Sequence, residues 1–193
     1  MTQNIVTEQE MRGIIRLIEW GIRPTTLQQI CGQLVSKDAL ARLINEYNPD
    51  VKRQGRVQSR PPIDTYSTRM LTTWVCRQYR YMLEVAPNES MLKILPYLYE
   101  QTYRVANHFV VGKPFRIDEI YAIVVAYNNR MLRIVTCPGD EGTQHLGERF
   151  DFAALREEPV RGLCPYCAKL KQERFAAHAQ GSTVARPLRK TAT

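Results

Sequence analysis

The sequence holds no run of about eighteen apolar residues, so no helix able to cross a membrane is expected. Its opening, MTQNIVTEQE, is polar and lacks the apolar stretch of a secretory signal, which suits a cytoplasmic protein. There is no glycine-rich phosphate loop, no HExxH and no nucleophile elbow. Two pairs of adjacent acids, Asp118-Glu119 and Glu157-Glu158, do not replace them. Neighbouring side chains on a helix diverge, so both pairs are expected on solvated faces, and no enzyme is expected. A disulfide framework is also absent. Five cysteines is an odd number, better suited to a reducing compartment. No long internal repeat is visible.

What the chain does have is a surplus of base. Its 193 residues carry 27 Lys and Arg against 19 Asp and Glu, a net charge of +8. Such a surplus points to a polyanionic partner, nucleic acid before membrane. A merely basic soluble protein is the plainer alternative. Apolar residues make up 44% of the chain, enough for a core in one or two small domains.

Thr7-Glu8-Gln9-Glu10 has the pattern of a capping box, and Met11, Ile14, Ile15 and Ile18 then recur at helical spacing. Gly21 is placed to end that helix in the left-handed conformation. Pro24 suits the first turn of a short helix carrying Leu27 and Ile30. Gly32 breaks it, Gln33-Leu34-Val35 turns, and Ser36 can cap a helix with Leu40, Leu43, Ile44 and Tyr47 on one face. Helix, short Gly-containing turn, helix is the helix-turn-helix pattern. It would present Ser36, Lys37, Asp38, Ala41 and Arg42 outward, at the end a recognition helix puts into the major groove. Two helices joined by a Gly turn also occur in any small helical domain. Asn48-Pro49 closes this part.

KRQGRVQSRPP follows, with Lys52, Arg53, Arg56 and Arg60 and no acid among them. It reads as an extended linker that either tracks a phosphate backbone or is simply solvated. Leu71, Trp74, Val75, Tyr79 and Met82 then form an apolar helical stripe. It resumes after Pro87-Asn88 with Met91, Ile94, Leu95 and Leu98, then Tyr103, Val105 and Phe109. Trp74 and the tyrosines are expected in a core or a subunit interface. Gly112-Lys113-Pro114 reads as a turn. Ile120, Ile123, Val124 and Tyr127 mark a further helix ended by Asn128-Asn129. MLRIVT reads as a strand and HLGERFDF as a second one. Cys31 and Cys76 sit inside apolar patterns and read as core thiols.

Cys164-Pro165-Tyr166-Cys167 has the spacing of a zinc knuckle, and Cys137-Pro138 resembles half of a partner knuckle. Where its second cysteine would stand is Asp140. Zn²⁺ takes four ligands in a tetrahedron. Cys137, Cys164 and Cys167 supply three. His145 is the chemically favoured fourth and Asp140 the positionally favoured one. A redox pair or two plain thiols is the alternative. A redox pair is expected near a βαβ pattern, and none follows. AKLKQERFAAHAQ reads as a short helix with Lys169, Lys171 and Arg174 outward, and GSTVARPLRKTAT as a disordered tail.

Three stretches taken together, LIEWGIRPTTLQQICGQLVSKDALARLINEY, RPPIDTYSTRMLTTWVCRQYRYML and FRIDEIYAIVVAYNNRMLRIVTCP…CPYC, resemble one family. The chain is similar to the FlhC transcriptional activators, both the flagellar ones and those of conjugative elements, the AcaC and SetC group. The similarity spans roughly residues 10–170 in order. It implies a helical DNA-binding subunit with a C-terminal zinc part, assembled with a small FlhD-like helical partner and recruiting RNA polymerase. That family's pattern has four cysteines in two CxxC pairs. Here Asp140 replaces one, and the spacer between knuckles is longer.

The expected architecture is mainly α. It comprises a helix-turn-helix region over 1–50, a basic linker over 51–65 and a helical core and partner interface over 66–130. A zinc-ribbon-like segment over 131–178 and a basic tail over 179–193 complete it. The expected function is activation of flagellar or conjugative-transfer promoters through double-stranded DNA, with one structural Zn²⁺. The competing reading is a zinc-ribbon RNA-binding protein. Against it stands the helical pair, since an α-helix does not enter the narrow A-form major groove.

Overall fold

A computed structural model describes residues 6–50, 60–106, 114–137, 151–157 and 167. Among these, six helices and one two-stranded sheet occur, so the described chain is mainly α. The helices are α1 (Glu8–Glu19), α2 (Pro24–Cys31), α3 (Lys37–Tyr47), α4 (Tyr66–Val85), α5 (Met91–Ala106) and α6 (Ile117–Asn128). The strands are β1 (Leu132–Thr136) and β2 (Asp151–Leu155).

Local chemistry sets most helix ends. The Thr7 hydroxyl accepts from the Glu10 N–H at 3.2 Å, while the Glu10 carboxylate accepts from the Thr7 N–H at 2.8 Å. This is the expected capping box. Gly21 has φ 78° and carries the chain out of α1. Pro24 opens α2, and Ser36 caps α3 by accepting from the Ala39 N–H at 3.3 Å. The Asn48 side-chain amide, at the end of α3, donates back to the Ile18 carbonyl of α1 at 2.9 Å.

One apolar core runs through all eight elements. It includes Ile14, Leu17, Leu27, Leu40, Ile44, Leu71, Val75, Leu95, Leu98, Ile120, Ile123, Leu132 and Ala153. The helices expected to bind DNA therefore share their core with the central helices. The far end of the expected linker is fastened to it as well. Pro61 and Ile63 are buried, and the Pro62 carbonyl accepts from the Thr72 hydroxyl at 2.8 Å.

Two long-range contacts are not visible in the local pattern. The first concerns Asp118, which is buried rather than solvated. Arg23, at the N-cap of α2, makes no side-chain cap of its own. Asp118 Oδ1, from the first turn of α6, accepts there from the Arg23 N–H at 3.2 Å and the Thr26 hydroxyl at 2.8 Å. The Arg23 guanidinium lies 3.8 Å from Oδ2. A carboxylate at a helix N-terminus is favoured by the helix dipole. Its neighbour Glu119 closes the first turn of α6 by accepting from the Arg116 N–H at 2.7 Å. The second contact concerns Pro96, inside α5. Proline has no N–H, so the Leu92 carbonyl lacks its ordinary helical donor. That carbonyl faces Gly13 of α1, where a Cβ would lie 2.6 Å from its oxygen. Glycine lets the two helices meet over the gap that proline leaves.

The strands pair antiparallel, from Leu132 opposite Leu155 to Thr136 opposite Asp151. Of the segment expected to form the second strand, residues 145–150 lie outside the described residues, while Asp151 and Phe152 belong to β2, which continues through Ala153-Ala154-Leu155. Side chains alternate across the sheet, so it has two occupied faces. Leu132 and Ala153 join the helical core, while Phe152 and Ala154 belong to a separate cluster with Cys137 and Cys167. The Ala153 N–H donates to the Thr73 hydroxyl of α4 at 2.9 Å, fastening β2 to the helices.

Candidate metal centre and nucleic-acid interface

Cys137 directly follows β1, and Cys167 approaches it from the far end of the chain. Both are buried on the outer sheet face against Phe152, Ala154 and Val135. Their Sγ atoms lie 3.9 Å apart. A disulfide would bring them to about 2.0 Å. Two thiolates on one tetrahedral Zn²⁺, each about 2.3 Å from the metal, stand about 3.8 Å apart. The observed separation matches one edge of such a tetrahedron, so these two residues fit a zinc site. Cys164, His145 and Asp140 lie outside the described residues, and among the described residues no group of three or more metal ligands occurs.

The other two described cysteines behave differently. Cys31 is fully buried, and its thiol donates to the Leu27 carbonyl at 3.0 Å. Burial pushes its pKa up to about 11, and that of Cys76 up to about 12. Both are neutral core thiols, as their apolar surroundings suggest.

α2 and α3 are joined by a short turn in which the Leu34 and Val35 N–H groups both donate to the Cys31 carbonyl at 2.9 Å. Gly32 has an ordinary φ of −63°, so its need for glycine is steric: a Cβ would collide with the Gln28 carbonyl and side-chain amide. Val35 is buried and anchors the turn. Ser36, Lys37, Asp38, Ala41 and Arg42 are all exposed, while Leu40 and Ile44 are buried. Asn45, which the sequence pattern does not single out, is exposed as well. Asp38, Ala41, Arg42 and Asn45 follow i, i+3, i+4, i+7 spacing, one outward stripe along α3.

A shallow hollow of about 520 Å³ separates the two helices, lined by Pro24, Thr25, Gln28, Lys37, Leu40 and Ala41 among others. Thr25 and Gln29 on the α2 side are exposed polar residues that carry no motif in the sequence. Arg60 is exposed at the near end of the described chain, whereas Lys52, Arg53 and Arg56 lie outside the described residues. So do Phe109, most of the expected turn at 112–114, the helix expected at 168–180 with Lys169, Lys171 and Arg174, and the tail.

The periodicity assigns Tyr103 to an apolar stripe, yet it is 59% exposed. The inward positions of α5 go to Leu95, Leu98, Thr102 and Ala106 instead. Tyr103 extends a surface row of rings. Trp20 stacks on Tyr99 with centroids 4.7 Å apart, and Tyr99 lies 6.4 Å from Tyr103. No helix among the described residues is long and apolar enough to cross a membrane. No family model matches the chain, and a search of curated proteins finds no match.

Proposed function

We propose that this chain is the DNA-binding subunit of a transcriptional activator, with α2 and α3 acting as a helix-turn-helix and a structural zinc in its C-terminal part. The observation that carries the reading is the outward stripe of α3. Lys37, Asp38, Arg42 and Asn45 are exposed on a helix whose start is capped by Ser36 and whose companion is locked at its N-terminus by Asp118. A rigid pair with one polar outer face is what reading base edges requires. The net charge of +8 supplies long-range attraction to a phosphate backbone.

The resemblance to the FlhC activators supplies the wider setting: a small FlhD-like helical partner, recruitment of RNA polymerase, and flagellar or conjugative-transfer promoters as targets. The row Trp20, Tyr99 and Tyr103, half-buried at its first two rings and exposed at Tyr103, suits a protein partner, since aromatic side chains are enriched at interfaces. Zinc, when bound, would cross-link the strand end at Cys137 to the chain at Cys167. Cys164 and either His145 or Asp140 would complete its ligands. The protein's contribution is then a dry pocket, with Phe152 and Ala154 covering the sulfurs.

The test is selection of a preferred duplex from a random pool, followed by comparison of Arg42→Ala on that duplex and on scrambled DNA. If Arg42 makes a bidentate guanine contact, the variant loses about 1–3 kcal/mol on the selected site and much less on scrambled DNA. Failure of the pool to yield any preferred duplex, with tight binding to single-stranded RNA instead, would refute the reading.

A further inference from the structure

The turn from α6 into β1 holds an arginine where helices ordinarily place glycine. Asn129 caps α6, and Arg130 follows with φ 57°. The Arg130 N–H donates to the Tyr127 carbonyl at 3.0 Å, and the Met131 N–H to the Ala126 carbonyl at 2.8 Å. These two bonds are the Schellman pattern, whose left-handed residue is usually glycine because a Cβ is strained there. Arg130 is a solvent-exposed side chain held on strained backbone. Such a residue is a reason to look for function nearby.

Beside it opens a hollow of about 620 Å³ lined by Arg80, Arg130, Arg133 and Arg156, with Tyr127 and Asn128. Separate elements bring the arginines together. Arg80 comes from α4 and Arg133 from β1, while Arg156 follows β2 with its N–H bonded to the Met131 carbonyl at 2.9 Å. None of the described residues lining the hollow is acidic. Among the described residues, the carboxylates near it in chain or space are Glu84, bonded to Arg80 at 3.0 Å, Glu157, next after Arg156, and Asp151 at the opposite end of β2, held by the Thr136 hydroxyl at 2.8 Å.

We propose that this hollow receives a backbone phosphate of duplex DNA, as a sequence-independent anchor separate from α3. The proposal rests on the DNA-binding reading above. Guanidinium forks match phosphate oxygens in pairs, and neutral side chains such as Tyr and Asn commonly share such contacts. The hollow is open to solvent, which suits a polymer passing across it better than a small enclosed ligand. α6 also sets the distance. Its first turn holds the N-terminus of α2 through Asp118, and its last residues border the hollow. Those ends lie roughly 18 Å apart at helical rise. That separation is shorter than one turn of duplex, about 34 Å, so it lies within the span of a single site.

The experiment measures binding of the full chain to random-sequence duplex over a range of salt, for wild type, Arg130→Gly, and Arg130→Gly with Arg156→Gln. Affinity should fall several-fold at one fixed salt. The log–log salt slope should flatten by up to roughly 0.9, the value for one phosphate that is no longer neutralised, most fully in the double variant. Arg130→Gly also relieves the left-handed strain, so its melting temperature should not fall, and weaker binding then reports the missing charge rather than a damaged fold. An unchanged slope, with wild type binding duplex normally, overturns the anchor and leaves the α3 reading standing. Wild type that binds no duplex at all defeats both. Tight binding of inorganic pyrophosphate that the double variant abolishes, with the duplex slope unchanged, assigns the hollow to a small phosphoanion and also overturns the anchor.

Discussion

The two faces of the β1–β2 sheet are held by different physics. The inner face, with Leu132 and Ala153, joins a core drawn from every helix. The outer face has only Cys137, Phe152, Ala154 and Cys167 as buried residues among those described, with Val135 packed beside them. Apolar burial stabilises by roughly 25 cal/mol per Å² removed from water, so the inner face has ample support and the outer face little. Small segments of this kind usually rely on a cross-link or a metal. The cysteines divide the same way. Cys31 and Cys76 are single, neutral and enclosed, while Cys137 and Cys167 stand together at zinc-edge spacing.

The largest expected effect breaks this contrast directly. Stripping zinc with a chelator, or replacing Cys137 and Cys167 together by Ser, should abolish hydrogen-exchange protection at β2 and around Cys167. The protection of α1 to α6 should change little. Metal content of about one zinc per chain before treatment, and none after, is the accompanying measurement. A metal-free chain with β2 fully protected would show that the outer face stands on packing alone.

Next in size is Asp118→Ala, which acts wholly within the helical body. It removes a buried carboxylate serving the N-terminus of α2, and unfolding free energy should drop by about 2–3 kcal/mol. Urea denaturation reads this out. Protection should fall first in α2 and α3, and zinc content should stay constant. A loss of zinc in this variant would show that the two regions are more tightly coupled than their separate clusters suggest.

The smallest effect sharpens the boundary between the faces. Thr73→Val removes the hydroxyl that accepts from the Ala153 N–H, at nearly constant volume. It should destabilise by about 1 kcal/mol and loosen β2 before any helix. Melting curves and exchange at Ala153 would show it. Equal loosening of α4 and β2 would mean that the strand and helix unfold as one unit.

Most helix ends are legible in the chain because capping is local. Thr7 with Glu10, Gly21, Pro24 and Ser36 act over a few residues, and each does what its type favours. The apolar periodicity likewise marks Ile14 and Ile18 of α1, Leu40 and Ile44 of α3, and Ile120, Ile123 and Val124 of α6 as inward. Where it fails, at Tyr47, which is 39% exposed, and at Tyr103, the choice between inward and outward lies in how each helix meets its neighbours rather than in its own pattern. β2 runs past the segment its pattern marks for a related reason: Ala153 and Ala154 are weak strand formers, and burial between two packed faces selects them.

By itself, then, the sequence determined the helical character, the caps and turns, the basic balance and the spacing of its cysteines. All of these depend on residues close together in the chain or on composition alone. Tertiary structure decided the rest, because the interacting groups are far apart until the chain folds. It turned Asp118 from an expected surface acid into the cap of a helix more than ninety residues earlier. It set the bare Gly13 against the carbonyl that Pro96 leaves without a donor. It brought Cys137 within 3.9 Å of Cys167 and gathered four arginines from separate elements around one hollow. Like charges scattered along a chain carry no instruction to converge; the packing of α4, α6 and the sheet brings them together.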